Sequence, residues 1–441
     1  MKLRKIVTDQ AAGALLKETE APALVPDEKG IEWAVVNLYP ELQYQEIYGF
    51  GGAFTEAAGY AVAQLPKEQQ ERIIEDYFGE SGIGYNLCRT HINSCDFALG
   101  NYAYVEDADL SKFSIARDKE YLIPLIKAAL AKTDLTLMAS PWSPPAFMKD
   151  TKEMNHGGKL LDEYKQVWAD YLVKYVEAYR QEGINIDWMT VQNEPNATQT
   201  WDSCRYTGAE EAELVKNYLG PTFEKAGIKL NLIIWDHNKE RVYERAKESL
   251  ADPEAAKYIW GIGFHWYTGT HFEALELTRQ AFPDKPLIFT EGCVEYSRHK
   301  DRTPVDYAEQ YGHDILGDLN GGMSGYMDWN LVLDAQGGPN HVKNFCDAPI
   351  MTNDANDGYR KNLSYYYIGH FSKYIKKGAR RIAHTRYTEE LEVTAFRNPD
   401  GTIAMVVLNR TDREQGFNLR IEGQFCHDAV APHSIVTYLI G

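Results

Sequence analysis

The chain has 441 residues, 44% hydrophobic and 25% charged, an ordinary balance for a soluble globular protein and enough for one large domain with an accessory one. A formal net charge of -18 argues against a nucleic-acid partner, because such surfaces concentrate Lys and Arg to displace counterions from phosphates. No apolar run reaches the roughly 18 residues a membrane-spanning helix needs, which excludes membrane insertion of that kind.

In chain order, the opening MKLRKIVTDQAAGALLKETEAP starts basic but lacks the ~7–15-residue apolar core of a secretory signal, so a cytoplasmic protein is expected. IEWAVVNL (31–38) and QEIYGF (45–50) then read as strands. From about residue 48 short β-rich runs alternate with longer amphipathic segments, the pattern of βα units around a parallel sheet. The runs are GFGGAF (49–54), GYNLCRTHI (84–92), LTLMASP (135–141), IDWMTVQNE (186–194), LNLIIWD (230–236), WGIGFHWY (260–267), PLIFTEG (286–292) and MSGYMDWN (323–330).

Between them, PKEQQERIIEDYF (66–78) repeats Ile73, Ile74, Tyr77 and Phe78 on one helical face, and a long helical pattern over 161–183 ends on Gly183. Eight strands and eight crossovers predict a (β/α)8 TIM barrel; an open doubly wound sheet is the competing reading, and the count of eight favours closure. The tail changes grammar. LEVTAFRNPDGTIAMVVLNR (391–410) alternates apolar and polar residues around the turn signal NPDG, and NLRI and SIVTYLI continue the pattern. The expected division is residues 1–45 as an N-terminal segment lending strands to a side β domain, 46–364 as the barrel, and 365–441 as a C-terminal antiparallel β-sandwich.

A barrel of this kind places its reactive groups where strands end. Glu194 stands at the end of the fourth run and Glu291 near the end of the seventh; strands four and seven of a barrel lie across its mouth, so both side chains are expected to point into one pocket. Two carboxylates about 5 to 5.5 Å apart are what retaining glycoside hydrolysis requires, one as nucleophile and one as acid/base. In TVQNEPN, Asn193 and Pro195 would end the strand and aim Glu194 at the pocket, with the Asn amide free to bind a sugar hydroxyl. An ionised Glu291 nearby is expected to raise the Glu194 pKa by like-charge repulsion and keep it protonated. Tyr267 is a candidate donor to the nucleophile, and Trp142, Trp266, Tyr267 and Trp329 are candidates for stacking on sugar faces.

Other chemistries lack their signatures. GFGGAF has Phe54 where a dinucleotide fingerprint needs its third glycine, and no Gly-rich loop leads into GKS or GKT. The twelve histidines include no HExxH or HxH, no GxSxG occurs, and the six cysteines form no CxxC pair, so a metal centre, a serine-hydrolase elbow and a disulfide framework are all disfavoured. The cysteines read as reduced and buried, and the cluster of Lys376, Lys377, Arg380 and Arg381 as a solvated surface.

GFGGAFTEAAG, YNLCRTHINSCDF, MASPWSPPAFMK, VQNEPN, DPEAAKYIWGIGFHWY, FTEGC, DWNLVLDAQGGPNHVKNF and YYYIGHFSKYIKKGARRI together resemble glycoside hydrolase family 30, and its glucosylceramidase-like branch in particular, from about residue 45 to the end. The resemblance implies a (β/α)8 barrel with a side β domain built from both termini, and a retaining double displacement without cofactor or metal. It implies Glu194 as acid/base and Glu291 as nucleophile, with Asp96, Trp142, Asn193, Trp329 and Asn344 holding the glycone, Tyr267 beside the nucleophile, and Arg89 and His265 in supporting positions. His341 stands where lysosomal members of that branch carry a tryptophan at the cleft rim, which points to a small soluble β-glycoside or oligosaccharide rather than a lipid-linked substrate. The expected function is an exo-acting β-glucosidase; β-xylosidase, β-fucosidase and endo-β-1,6-glucanase share the same catalytic pair, and a carbohydrate-binding protein without chemistry is the alternative of another class.

Overall fold

The computed structural model describes residues 1–441. Eight parallel strands close into a barrel in chain order: Gly49–Phe54, Leu87–Ile92, Thr136–Pro141, Trp188–Thr190, Asn231–Asn238, Ile259–His265, Leu287–Glu291 and Met323–Asn330. Each falls on one of the eight runs. They are buried almost throughout, because barrel strands are covered by side chains inside and by helices outside, which is why they read as continuous apolar stretches. The fourth is the shortest, ending at Thr190. Beyond it Val191, Asn193 and Glu194 still donate backbone hydrogen bonds to Ile233, Pro141 and Asp236 at 2.8–2.9 Å, but Glu194 turns into left-handed conformation (φ 45°) and leaves the ladder.

The N-terminal end of the barrel is plugged by a cluster of Leu87, Met138, Trp188, Ile233, Ile288 and Met327, with Tyr48 and Trp260 packed on it. Trp188 and Trp260 ring centroids lie 4.7 Å apart, and Tyr48 meets both edge-on. With that end filled, the opposite mouth is left for chemistry. Gly51 permits the first two strands to approach: a Cβ there would lie 1.7 Å from the Leu87 carbonyl oxygen.

The outer helices follow their patterns. Lys67–Phe78 buries Ile73, Ile74, Tyr77 and Phe78, and Lys165–Gln181 is followed by Gly183 at φ 79°. Pro304–Gly321 starts in a capping box of Thr303 and Asp306 and buries Asp314 and Asp318. Both aspartates take Lys239, just past the fifth strand, at 2.7 Å, so the loop that carries that strand's end is tied to the helix by a buried pair. No helix is long and apolar enough to cross a membrane.

The side domain is one ten-stranded sheet. Its order is Ala14–Thr19, Leu3–Asp9, Ser434–Ile440, Ile403–Asn409, Leu391–Arg397, Arg380–Thr385, Val35–Glu46, Gln415–Ile421, Gln424–Val430 and Val25–Pro26. Residues 3–46 supply four of these strands. The sheet folds over an 18-residue core, and Asp428 on one side receives Lys5 and Tyr438 from the other at 2.8 Å. Every pairing is antiparallel except Gln415–Ile421 on Val35–Glu46, which come from opposite ends of the chain and are therefore not bound by hairpin geometry. Only VVNL of IEWAVVNL is strand; together with the start of QEIYGF it belongs to a single strand, Val35–Glu46, whose register against Arg380–Thr385 is irregular. Asn398–Gly401 makes the expected turn, with Gly401 at φ 88°.

Helix Leu363–Ser372 spans the division expected at 364/365 and packs on the barrel helix Pro304–Gly321 and on three sheet strands. Nine of its ten residues are buried, so it carries no polar stripe. His370 within it reaches Thr437 and Thr8 at 2.8 Å with its two ring nitrogens, and burial holds its pKa down at about 3, so it bonds as a neutral ring. The basic cluster departs from the solvated reading at one residue. Arg381 is buried, its guanidinium 3.9 Å from the Tyr44 ring centroid, and burial lowers its pKa to about 10. All six cysteines are buried.

The glycine geometry gives a test. Gly51→Ala must push a methyl into backbone of the next strand and should cost about 3 kcal/mol, whereas Gly183→Ala meets nothing within 4 Å and should cost only the left-handed penalty of about 1 kcal/mol. Thermal unfolding of both variants checks the difference; equal midpoints would refute the close approach.

Candidate active site

Two irregularities in the sheet turn side chains into the barrel mouth. Opposite the sixth strand, Gly263 pairs with Trp235 and Phe264 with His237, leaving Asp236 as an extra residue; Trp235 and Asp236 take φ of 70° and 49°. Between the sixth and seventh strands, Phe264 pairs with Phe289 and His265 with Glu291. With Glu194 at φ 45°, left-handed residues gather at one spot, and such strain persists where surrounding contacts over-determine it.

Those contacts centre on Arg89, from the second strand and without solvent exposure. Its Nε donates to Ser140 Oγ at 3.0 Å, Nη1 to Glu291 Oε2 at 2.5 Å, and Nη2 to Asn193 Oδ1 and Asp236 Oδ2, both at 2.8 Å. The guanidinium also lies 4.6 Å from the Trp142 ring centroid and 5.6 Å from that of Trp329. One planar cation thus sets the ends of the third, fourth, fifth and seventh strands relative to each other.

Around it, Tyr267 donates to Glu291 Oε1 at 2.8 Å. Glu194 Oε1 lies 3.2 Å from His265 Nδ1, and Glu194 Oε2 accepts from Gln199 at 3.4 Å. The other His265 nitrogen is 2.9 Å from Asp236 Oδ1. An oxygen of Glu194, an oxygen of Glu291 and a His265 nitrogen all lie within 4.8 Å of one another.

The electrostatics reverse one expectation. Burial pushes the Glu194 carboxyl up, but His237 and His265 outweigh it and hold its pKa down at about 2, so the free site keeps Glu194 ionised rather than protonated. Glu291 is raised by burial, against the pull of His265 and Arg89. Two histidines face Glu194 and oppose the like charge of Glu291: His265, and His237 with its Nε2 3.8 Å from Glu194 Oε1. Burial disfavours the His265 cation, yet Glu291, Asp236 and Glu194 raise its pKa to about 9. Asp236 is likewise pushed up by burial but held well below the usual carboxylate range by Arg89 and His265. Asp96 is driven well above its ordinary value by burial, then by Glu291 and Glu194.

A pocket of about 120 Å³ opens beside the two glutamates, and Asp96, Trp142, Asn193, Tyr267, Trp329 and Asn344 all line it. Arg89 and His265 sit behind its wall, fully buried. Trp142 and Trp329 stack on each other with centroids 5.1 Å apart. Trp266 does not join them: it packs in the barrel core against Phe289 and Tyr311 and donates to the Cys293 carbonyl, because successive strand residues alternate sides. His341 is turned inward, Nδ1 at 3.2 Å from the Ala98 carbonyl oxygen. Gln199, Trp201, His237, Asn238, Thr268, Glu295 and Arg298 also line the pocket. Of these His237 and Asn238 end the fifth strand, and the rest come from loops with no periodicity to read.

The glycosyl hydrolase family 30 TIM-barrel domain matches residues 47–375, and the family's beta sandwich domain matches residues 378–438. The chain belongs to glycosyl hydrolase family 30. This family 30 chain is a glycoside hydrolase. It is 34% identical over 427 residues to lysosomal acid glucosylceramidase of Mus musculus, covering 92% of this chain and 83% of the relative. The structure of SrfJ from Salmonella typhimurium superposes with a TM-score of 0.97 at 39% identity, covering 100% and 99% of the two chains. An endo-β-1,6-glucanase structure follows at 0.90 and 28%, covering 99% of each.

Replacing the central cation tests the network. Arg89→Met strands Asp236 and Glu291 as buried charges and should cost about 3–5 kcal/mol at neutral pH. Because the folded-state pKa of Asp236 lies below its unfolded value, its stabilisation is present above about pH 4 and is lost as pH falls through the folded value. The gap between wild type and variant in urea unfolding should therefore shrink below about pH 4; a pH-independent gap would contradict the charge account.

Proposed function

We propose that this family 30 hydrolase is a retaining, exo-acting β-glycosidase that removes a terminal β-glucosyl residue, with Glu291 as nucleophile and Glu194 as acid/base. The observation that carries the reading is that an oxygen of Glu194 and an oxygen of Glu291 lie within 4.8 Å of each other. Inverting enzymes need about 6.5–9.5 Å to seat a water between their carboxyl groups, and retaining ones about 5–5.5 Å for direct attack.

The roles follow from contacts. Arg89 on Oε2 and Tyr267 on Oε1 fix the Glu291 carboxylate, and burial makes it more basic than a solvated glutamate and so a better nucleophile. Attack on the anomeric carbon forms a glycosyl ester on Glu291 while Glu194 gives a proton to the departing oxygen. Glu194 then takes a proton from the water that attacks the ester, and Glu291 leaves as carboxylate. Asp96, Asn193 and Asn344 present hydrogen-bonding groups for sugar hydroxyls, and the Trp142–Trp329 stack forms an apolar wall. A 120 Å³ pocket lies well below the ~300–1,000 Å³ of sites that enclose drug-sized ligands, which favours one ring at the chain end over several. The choice of glucose is supported by the relative named as a glucosylceramidase.

The likeness to an endo-β-1,6-glucanase supports a second reading, cleavage within a β-1,6-glucan. Release of nitrophenol from 4-nitrophenyl β-glucoside, β-xyloside, β-fucoside and β-galactoside separates these. The β-glucoside should be hydrolysed, and Glu291→Gln should lower kcat by about 10³-fold or more. A variant within tenfold of wild type would overturn the assignment of the nucleophile. An inert panel together with mixed oligosaccharides from β-1,6-glucan would favour the second reading.

A further inference from the structure

We infer that His265 stores the proton that Glu194 delivers to the leaving group, and passes it across the hydrogen bond between His265 Nδ1 and Glu194 Oε1. This rests on the assignment of Glu194 as acid/base and adds where its proton waits.

Both ring nitrogens of His265 face carboxylate oxygens, Asp236 at 2.9 Å and Glu194 at 3.2 Å. An ionised carboxylate only accepts, so two such hydrogen bonds need two protons. They are met by Asp236 carboxylate, imidazolium and Glu194 carboxylate, or by Asp236 carboxylate, neutral imidazole with its proton on Nε2, and Glu194 carboxylic acid. The two arrangements differ only in the place of one proton along a 3.2 Å line.

The surrounding charges choose between them. Facing His265 are Asp236 from the fifth strand, Glu194 beyond the fourth and Glu291 on the seventh, with Arg89 of the second strand bonded to Asp236 and Glu291. The rings of Tyr267 and His237 lie 6.0 and 6.2 Å from its own, and His237 is pushed toward neutrality by burial. Three ionised carboxylates against one guanidinium leave an excess of two negative charges in a buried site. An imidazolium at His265 halves that excess, and its pKa near 9 fits. The free enzyme therefore keeps the proton on His265.

A glycoside in the pocket removes water from Glu194, whose remaining donors are His265 and the long 3.4 Å contact from Gln199. Loss of solvation disfavours the carboxylate, so the proton moves from Nδ1 to Oε1, leaving neutral imidazole and a carboxylic acid. Glu194 gives that proton to the glycosidic oxygen as the bond to the anomeric carbon breaks and Glu291 forms its ester. In the second half, Glu194 receives a proton from water as Glu291 regains its charge, and the proton returns to His265. Protons and charge balance over the cycle. His265 does not touch the sugar in this scheme: it is a positioning residue that acts through Glu194.

The test combines a direct readout with a kinetic one. Ring-nitrogen NMR of the wild-type enzyme labelled with 15N-histidine should show His265 with both nitrogens protonated at pH 7.5, its signal identified by its displacement in Glu194→Gln. In kinetics on 4-nitrophenyl β-glucoside, the alkaline limb of kcat/KM should lie near pH 9 in wild type. In His265→Gln it should fall by about two pH units or more, toward the range of a buried carboxyl group. A neutral His265 in the wild-type spectrum, or a limb that does not move in His265→Gln, would overturn the proposal. Where His265→Gln does not fold, the wild-type spectrum decides alone. Turnover of 2,4-dinitrophenyl β-glucoside, whose leaving group needs no acid, separates the two levels: its absence in wild type removes the exo-acting β-glucosidase reading itself, whereas its presence with an unmoved limb removes only the proton store.

Discussion

Three carboxylates, those of Glu194, Asp236 and Glu291, share a site from which solvent is nearly excluded, and the guanidinium of Arg89 is what makes that arrangement tolerable. A buried acid without a partner would neutralise itself or unfold its surroundings. Arg89 prevents this by spreading one fixed charge over two of them through a planar fork, and holds Asn193 with the same nitrogen that holds Asp236. His265 supplies the rest of the compensation between Asp236 and Glu194. The left-handed turns at Glu194, Trp235 and Asp236 are the backbone's response, since the side chains converge on Arg89 and His265 only if the fourth and fifth strands break their regular geometry.

The rest of the molecule keeps that convergence rigid. The aromatic plug of Trp188, Trp260 and Tyr48 fills the far end of the barrel, so strand positions at the mouth are not free to relax inward. The Lys239 pair fastens the end of the bulged fifth strand to helix Pro304–Gly321. That helix in turn packs against Leu363–Ser372, which meets the ten-stranded sheet through His370. The side domain thus supports the barrel through a continuous chain of buried contacts.

Much of this was legible in the sequence for a physical reason. Barrel strands buried on both faces give unbroken apolar runs, and all eight ranges read from composition fall on strands. Glu194 and Glu291 stood out because polar residues directly after such runs must face the mouth, and the pocket residues named by resemblance line one cavity with them. The protonation of Glu194 was misjudged because His265 and His237 reach it from two other strands, a neighbourhood that linear spacing cannot express. Trp266 was misplaced because a strand's alternation sends it to the core side, between His265 and Tyr267. Gln199, Trp201 and Arg298 carried no signal, since loop residues enter a pocket through the path of the backbone rather than through any period. The parallel pairing of Gln415–Ile421 with Val35–Glu46 was equally hidden, being a contact between the two ends of the chain.

The central claim is that two carboxylates too close to seat a water between them act in sequence on one sugar. The most direct measurement is the anomeric form of the sugar first released from a β-glucoside, followed by proton NMR before mutarotation mixes the products. Initial appearance of the β-anomer is the predicted result, since two inversions restore the starting configuration. Initial appearance of the α-anomer would mean a single displacement by water and would contradict the roles given to Glu291 and Glu194.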